Sequence, residues 1–437
     1  MALLSDNIVS LLLRRGPRGN LPPAQCFGER AAPQNTVLCE AAVQSLSRDR
    51  SRDSPSQFKG HACKLAKSLK CCYKLSMETK LNTIKSPQDT TVVVGMSGGV
   101  DSSVAALLLK KQGYKTIGLF MKNWDEKDAN GVCTSAADFE DVARTCAAID
   151  IPYYSINLVA QYQEQVFKEF IEDFKKGYTP NPDILCNREI KFNVFYNQAL
   201  ELGADFVATG HYCQVSDGKL LKGKDPGKDQ SYFLNAVPKE KFPKVLFPIG
   251  HLEKSEVRRL AREHGLCTHD KKDSTGICFI GERKFRPFLA QYVEGQKGEF
   301  RRLNGEVVGR HEGVCFYTLG QRKHLGLGGE GKPWYVVKKD VGRNIVYVER
   351  DHDHPALYAP ELIAQDVNWL LDQNESIPAK CQAKIRYRQA DQDCTLLLEE
   401  DGRVRVQFAT PQRAIASKQS VAFYLGERCL GGGFISP

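Results

Sequence analysis

The apolar run Val92-Val93-Val94 leads into Gly95-Met96-Ser97-Gly98-Gly99-Val100-Asp101-Ser102, and a helical pattern follows over 100–112 until Gly113 stops it. A strand, a glycine-rich turn and a helix in that order constrain the fold more than any other feature of the chain. Glycines let the backbone close around an anion, the first N–H groups of the helix point at it, and the hydroxyls of Ser97 and Ser102 add donors. The segment reads as a cradle for phosphate or pyrophosphate. A loop ending in Gly-Lys-Ser/Thr would bring a lysine to the β- and γ-phosphates; that lysine is absent here, which argues against a kinase or GTPase.

The strand-and-helix unit then repeats. Strands are expected at 116–121, 153–158 and 205–209, with helices at 138–149, 161–176 and 190–202 between them. This predicts an α/β fold, a doubly wound parallel-sheet nucleotide-binding domain over residues 89–290, with later helices at 254–264 and 285–293. Short, glycine-rich alternating runs follow over 297–350 and predict a small central domain at 291–357. From 358 to 437, apolar runs at 381–387, 395–399, 404–408 and 420–425, parted by turns such as Asp401-Gly402, predict an all-β barrel or sandwich.

Charge is uneven along the 437 residues. The formal net charge is +9, yet residues 1–88 hold 14 Lys/Arg against 6 Asp/Glu and so carry +8 of it. Any RNA-binding surface in the remainder is therefore a local patch that the overall charge does not reveal. Residues 1–88 are also rich in Pro and Ser, and Ile8, Leu11 and Leu12 share a helical face beside Arg14 and Arg15. This is transit-peptide composition, and it predicts import into mitochondria, with a plastid or a cytoplasmic disordered tail as the alternatives. No apolar run approaches the roughly 18 residues that cross a bilayer, so no membrane-spanning role is expected.

The 15 cysteines are odd in number and irregularly scattered, and no two are spaced C-x-x-C. Reduced thiols are expected, and zinc ribbons, thioredoxin motifs and iron–sulfur sites are disfavoured. Two cysteines stand in motifs that read as accessible loops: Asn181-Pro182-Asp183-Ile184-Leu185-Cys186-Asn187, and Ser274-Thr275-Gly276-Ile277-Cys278-Phe279-Ile280-Gly281. Alone, each would be an inert small residue; together in an ATP-binding domain they suit sulfur insertion, where one thiol carries a persulfide and the other helps discharge it.

The phosphate loop resembles that of the ATP pyrophosphatases, which split ATP between the α- and β-phosphates and adenylate a substrate oxygen. Taken with the two cysteine motifs, Ala208-Thr209-Gly210-His211-Tyr212, Lys228-Asp229-Gln230-Ser231 and Thr318-Leu319-Gly320-Gln321-Arg322, residues 91–435 resemble the tRNA-specific 2-thiouridylases. Only the long N-terminal extension departs from the bacterial pattern. The resemblance implies a pyrophosphatase-type domain, a small central domain and a C-terminal β-barrel, acting on the wobble uridine of tRNAs for lysine, glutamine and glutamate.

By the same resemblance, Gly95, Met96, Ser97, Gly98, Gly99, Val100, Asp101 and Ser102 hold the ATP phosphates, with Mg2+ accompanying ATP, while Met121 and Gly210 contact adenosine. Asn181, Pro182 and Asp183 meet the flipped base, Cys186 is the catalytic thiol, and Cys278 carries the persulfide. His211, Lys228, Asp229, Gln230, Arg386, Tyr387 and Gln419 contact tRNA. A persulfide donor from a cysteine desulfurase or sulfur-relay protein is implied as partner. Arg301, Arg302, Arg310, Arg322 and Lys323 suit phosphate tracking or an ordinary solvated surface equally. The rival readings are another adenylating ligase of the superfamily, or a non-catalytic RNA-binding or redox protein on this fold.

Overall fold

The computed structural model describes residues 85–124, 134–273 and 285–436. The presequence up to residue 84 and the whole motif carrying Cys278 lie outside the described residues. Strand β1 (Thr91–Met96) is buried on both faces, which is why its valines form an unbroken run rather than an alternation. It is followed by α1 (Val100–Lys111), β2 (Lys115–Lys122), α2 (Thr134–Ala148) and β3 (Tyr153–Asn157). A helical run then joins α3 (Val159–Tyr162), a π turn (Gln163–Phe167) and α4 (Lys168–Lys175). A second joins α5 (Pro182–Leu185), a π-helical stretch (Cys186–Phe195) and α6 (Tyr196–Glu201), and leads into β4 (Phe206–Thr209). The hairpin of β5 (Cys213–Ser216) and β6 (Lys219–Lys222), the short β7 (Val245–Leu246) and α7 (Lys254–Glu263) come next.

The first sheet runs β3-β2-β1-β4-β7, all parallel. The chain winds outward from β1 to β3 and then returns to place β4 on the other side of β1, so the winding direction reverses between β1 and β4. Ligands of open α/β sheets lie outside the carboxyl ends of the strands at such a reversal. One face is covered by α1, α2 and α7 through Val104, Leu107, Val142 and Val257. The other is covered by the two π-interrupted runs through Tyr162, Val166, Ile190 and Phe195.

After α8 (Phe285–Leu289), a mixed sheet of β8 (Gly298–Arg301), β9 (Val307–His311), β10 (Trp334–Asp340) and β11 (Ile345–Arg350) packs Phe300, Val336, Val346 and Val348 into a core of its own. Six antiparallel strands complete the chain: β12 (Tyr358–Trp369), β13 (Lys380–Lys384), β14 (Gln392–Leu398), β15 (Val404–Arg413), β16 (Ser420–Leu425) and β17 (Arg428–Ile435). Pairing of β12 with both β15 and β17 closes them into a barrel, which decides between the two all-β expectations. Strand β17 also pairs with β6, so the first domain's hairpin extends the barrel sheet.

The segment between β6 and β7 locks the two together. Tyr232 donates its hydroxyl to Ser420 O (2.9 Å), the Ser231 and Tyr424 hydroxyls lie 3.2 Å apart, and Asn368 Nδ2 donates to Asn235 O and Val237 O. At the centre is Asp229, 5% exposed, whose carboxylate accepts from Gly223 N, Ser231 N, Ser231 Oγ and Lys384 Nζ. Removing one member of a buried, hydrogen-bonded ion pair strands the rest, at a cost of about 3–5 kcal/mol. Asp229→Ala should accordingly lower the melting temperature steeply, as followed by circular dichroism; a fully stable variant would refute this structural role.

Candidate active site at the phosphate loop and Cys186

The loop after β1 is shaped by its own hydroxyls. Ser97 N donates to Ser102 Oγ (3.2 Å), Gly99 N to Ser97 Oγ (3.4 Å), and the hydroxyls of Ser102 and Ser103 to Gly99 O (3.1 and 2.9 Å). Gly99 caps α1 without a side-chain hydrogen bond to the first turn, which leaves that turn's N–H groups oriented for an anion. Gly98 has φ +74°, and a Cβ there would fall 2.6 Å from Asp138 O. Gly210, just past β4, is pressed against the same turn: a Cβ would meet Ser102 N at 2.6 Å. Met121 lies at the end of β2 with its methyl over Gly95. The structure thus brings Gly95 to Ser102, Met121 and Gly210 to one place, at the winding reversal.

Positive charge reaches the loop from outside it. Lys254, at the first position of α7 and with its side chain 12% exposed, donates to both Asp101 oxygens (2.7 and 2.9 Å) and to Asp273 (2.8 Å). An ammonium in a helix's first turn opposes the helix dipole, so these carboxylates are what hold it there. Tyr212 also donates to Asp101 (2.8 Å), and Asp273 receives Lys228 (2.6 Å) and Arg258 (2.9 Å) besides. Burial raises Asp273, but hydrogen bonds from Lys228 and Lys254 outweigh it and hold its carboxyl at about 2. Sequence reasoning gave no role to Lys254, Asp273 or Tyr212. The only local signal was a lysine at a helix start, where carboxylates are the rule.

The second motif is not the accessible loop expected from its sequence. Asn181 caps α5, accepting Asp183 N at 3.2 Å, Pro182 fills the first helical position, and the helix runs on through Cys186. Cys186 is 0% exposed. Spacing by three places Asp183 and Cys186 on one face of this helix. Further along, the Phe195 ring packs against Gly95 of the loop strand, and Phe192 packs 5.9 Å from His211. The helix bearing the thiol is therefore built onto the phosphate site. Its approach is held by the barrel: Gln419 Nε2 donates to Thr179 O (2.6 Å) and Pro180 O (3.5 Å), and Thr179 N donates to Ser417 O.

The residues expected to touch tRNA take internal partners. Lys228 pairs with Asp273, and Gln230 accepts Tyr212 N. Arg386 donates to Ala414 O and Tyr387 to Lys228 O. His211 lies buried between Phe192 and Phe247 with Nδ1 2.8 Å from the Thr209 hydroxyl; burial, with Lys191 adding, pushes it well below the usual imidazole range. Of the seven, Lys228, Asp229, Tyr387 and Gln419 make contacts across the junction of the first domain and the barrel, and the first effect of these four is to hold that junction.

Three family models match in sequence: a tRNA methyl transferase HUP domain at residues 90–282, a tRNA methyl transferase PRC-barrel domain at 286–350, and an aminomethyltransferase beta-barrel domain at 359–435. The tRNA-specific 2-thiouridylase of Protochlamydia amoebophila is 60% identical over 79% of this chain and 93% of its own length. The chain belongs to the tRNA-specific 2-thiouridylase family. The family's Halalkalibacterium halodurans member is 56% identical over 80% of this chain and 96% of its own. Among solved structures, the U34-tRNA thiolase NcsA of Methanococcus maripaludis aligns with a TM-score of 0.29 and 18% identity, over 48% of this chain and 66% of that one.

A carboxyl depressed in the fold contributes stability that is present above its unfolded value and lost as pH falls through the folded one. Asp273 thus predicts an acid limb between about pH 4 and the value near 2 quoted above. Asp273→Asn should flatten that limb in an acid-unfolding titration followed by tryptophan fluorescence; an unchanged limb would contradict the assignment.

Proposed function

We propose that this chain is an ATP-dependent tRNA 2-thiouridylase, adenylating the wobble uridine of tRNAs for lysine, glutamine and glutamate and replacing its 2-oxygen with sulfur. The observation that carries this reading is the helix of Asp183 and Cys186 built directly onto a lysine-free phosphate loop, in a chain 60% identical to a 2-thiouridylase over nearly all of that relative. The matching family models are described as methyl transferases. Methyl transfer from a sulfonium has no use for a polyphosphate cradle, whereas adenylation requires one.

In this reading Gly95 to Ser102 hold the phosphates, and Lys254 places positive charge beside them. Among the described residues no three His, Cys, Asp or Glu side chains cluster as a metal site, so magnesium is written as part of the MgATP substrate. The uridine 2-oxygen attacks the α-phosphorus, the N3 proton passes to the carboxylate of Asp183, and pyrophosphate leaves. The outer sulfur of a Cys278 persulfide then attacks C2 and AMP departs with the oxygen. Cys186 attacks the inner sulfur of Cys278 and its thiol proton goes to N3; the S–S bond breaks toward the base, leaving 2-thiouridine and a Cys186–Cys278 disulfide for cellular reductant to reopen. Asp183, on the Cys186 face, binds the base. A cysteine desulfurase or sulfur-relay protein supplies the persulfide, and the basic, acid-poor residues 1–88 support import into mitochondria.

Purified protein incubated with unmodified lysine tRNA, MgATP and a persulfide source should form 2-thiouridine detectable by mass spectrometry. Cys186→Ser and Cys278→Ser should each abolish it, by about a thousandfold or more, while AMP formation survives in both. ATP cleavage without thiolation in the native protein would indicate another adenylating enzyme, and tRNA binding without nucleotide turnover a non-catalytic one.

A further inference from the structure

Asn187 follows the candidate catalytic thiol, and both ends of its side chain are accounted for differently. It is 2% exposed. Its Nδ2 donates to Phe233 O at 3.1 Å, in the segment that docks into the barrel. Its Oδ1 is buried and has no hydrogen-bond partner. The orientation is chemically determined, because a carbonyl oxygen can only accept: the NH2 end must face Phe233 O, and the orphan must be the acceptor end. A buried acceptor left without a donor costs about 1–3 kcal/mol, so native structures retain one where something else repays it.

Its location says what that is. Asn187 stands four residues after Asp183 and one after Cys186 on a continuous helix, so the three side chains project from neighbouring positions of one face. A base with its C2 near the thiol has its N3 edge beside them. Uracil carries a proton at N3; cytosine has a lone pair there.

We propose that Asn187 is a specificity-determining residue whose Oδ1 accepts the N3–H of the target uracil on binding, before adenylation removes that proton, and so rejects cytosine at the binding step. This rests on the 2-thiouridylase reading. Uracil satisfies the orphan acceptor, whereas cytosine sets two lone pairs against each other and leaves both unsatisfied, the arrangement by which hydrogen-bonding sites discriminate most strongly. The Phe233 contact fixes the amide in the orientation required, so the backbone segment docked into the barrel also orients the reader of the base.

The test uses the full chain with anticodon-arm RNAs carrying uridine, cytidine or 3-deazauridine (C–H in place of N3–H) at the wobble position, measuring the Kd of each RNA in the absence of ATP, together with ATP binding and 2-thio product on the uridine RNA. The native protein should show a Kd about 10- to 100-fold higher for 3-deazauridine than for uridine. Asn187→Leu should lose about the same factor on uridine, lose nothing further on 3-deazauridine, and discriminate uridine from cytidine at least tenfold less well, with ATP binding unchanged. A native protein indifferent to 3-deazauridine would overturn the proposal even if the variant failed to fold. Equal losses by Asn187→Leu on all three RNAs would overturn it too, leaving a structural amide. Failure of the native protein to thiolate uridine at all would instead overturn the underlying functional reading.

Discussion

The carboxylate of Asp229 is the constraint on which the rest depends. Four donors converge on it from three parts of the fold: the backbone beyond β6, the serine two residues on, and Lys384 of barrel strand β13. A charge buried this deeply is tolerable only when paired and fully hydrogen-bonded, so the barrel cannot leave the first domain without exposing or stranding it. The lysine itself lies over the Tyr424 ring, whose hydroxyl meets Ser231. What looks like a linker between domains is therefore a packed joint.

The joint matters because the site is assembled from both sides of it. Helix α5 begins at Asn181, and the two residues before it are held by Gln419 and Ser417 of the barrel. Asn187, on the same helix, is held by Phe233 of the docked segment, and Phe233 in turn packs on Tyr387 of the barrel at 4.6 Å. The helix's far end rests on Gly95 of the phosphate strand. Shifting the barrel by an ångström would thus move the thiol relative to the phosphate loop. The residues expected to grip tRNA work first as the frame that fixes that distance.

The parallel sheet was legible because its strands are buried on both faces and read as unbroken apolar runs, and because Gly95 to Ser102 punctuate the change of period. The phosphate cradle was legible for the same reason. Strand β17 was not: Gly431-Gly432-Gly433 give no side chains to alternate, although they form its centre. Strand β12 was hidden by polar residues among apolar ones, as a barrel wall with one wet face requires. The Asn181 motif misled because Asn and Pro signal turns and helix starts alike, and only the tertiary frame decides between them. Lys254 and Asp273 were invisible because Lys254 lies 153 residues from Asp101, a contact that no local pattern encodes.

Burial of Cys186 bears on how such a site must work. A thiol and an amide oxygen kept from solvent meet no stray electrophile or oxidant while the site is idle. Uracil and the attacking sulfur can reach them only by displacing what now covers them. Part of the RNA's binding energy must then be spent on that displacement as well as on flipping the base, and only a base that satisfies the uncovered groups returns it. Selectivity has a different source. The cost of opening the site falls on every base alike and so cancels from the choice among them; what separates the bases is the uncovered acceptor, which a base lacking the matching donor leaves unsatisfied.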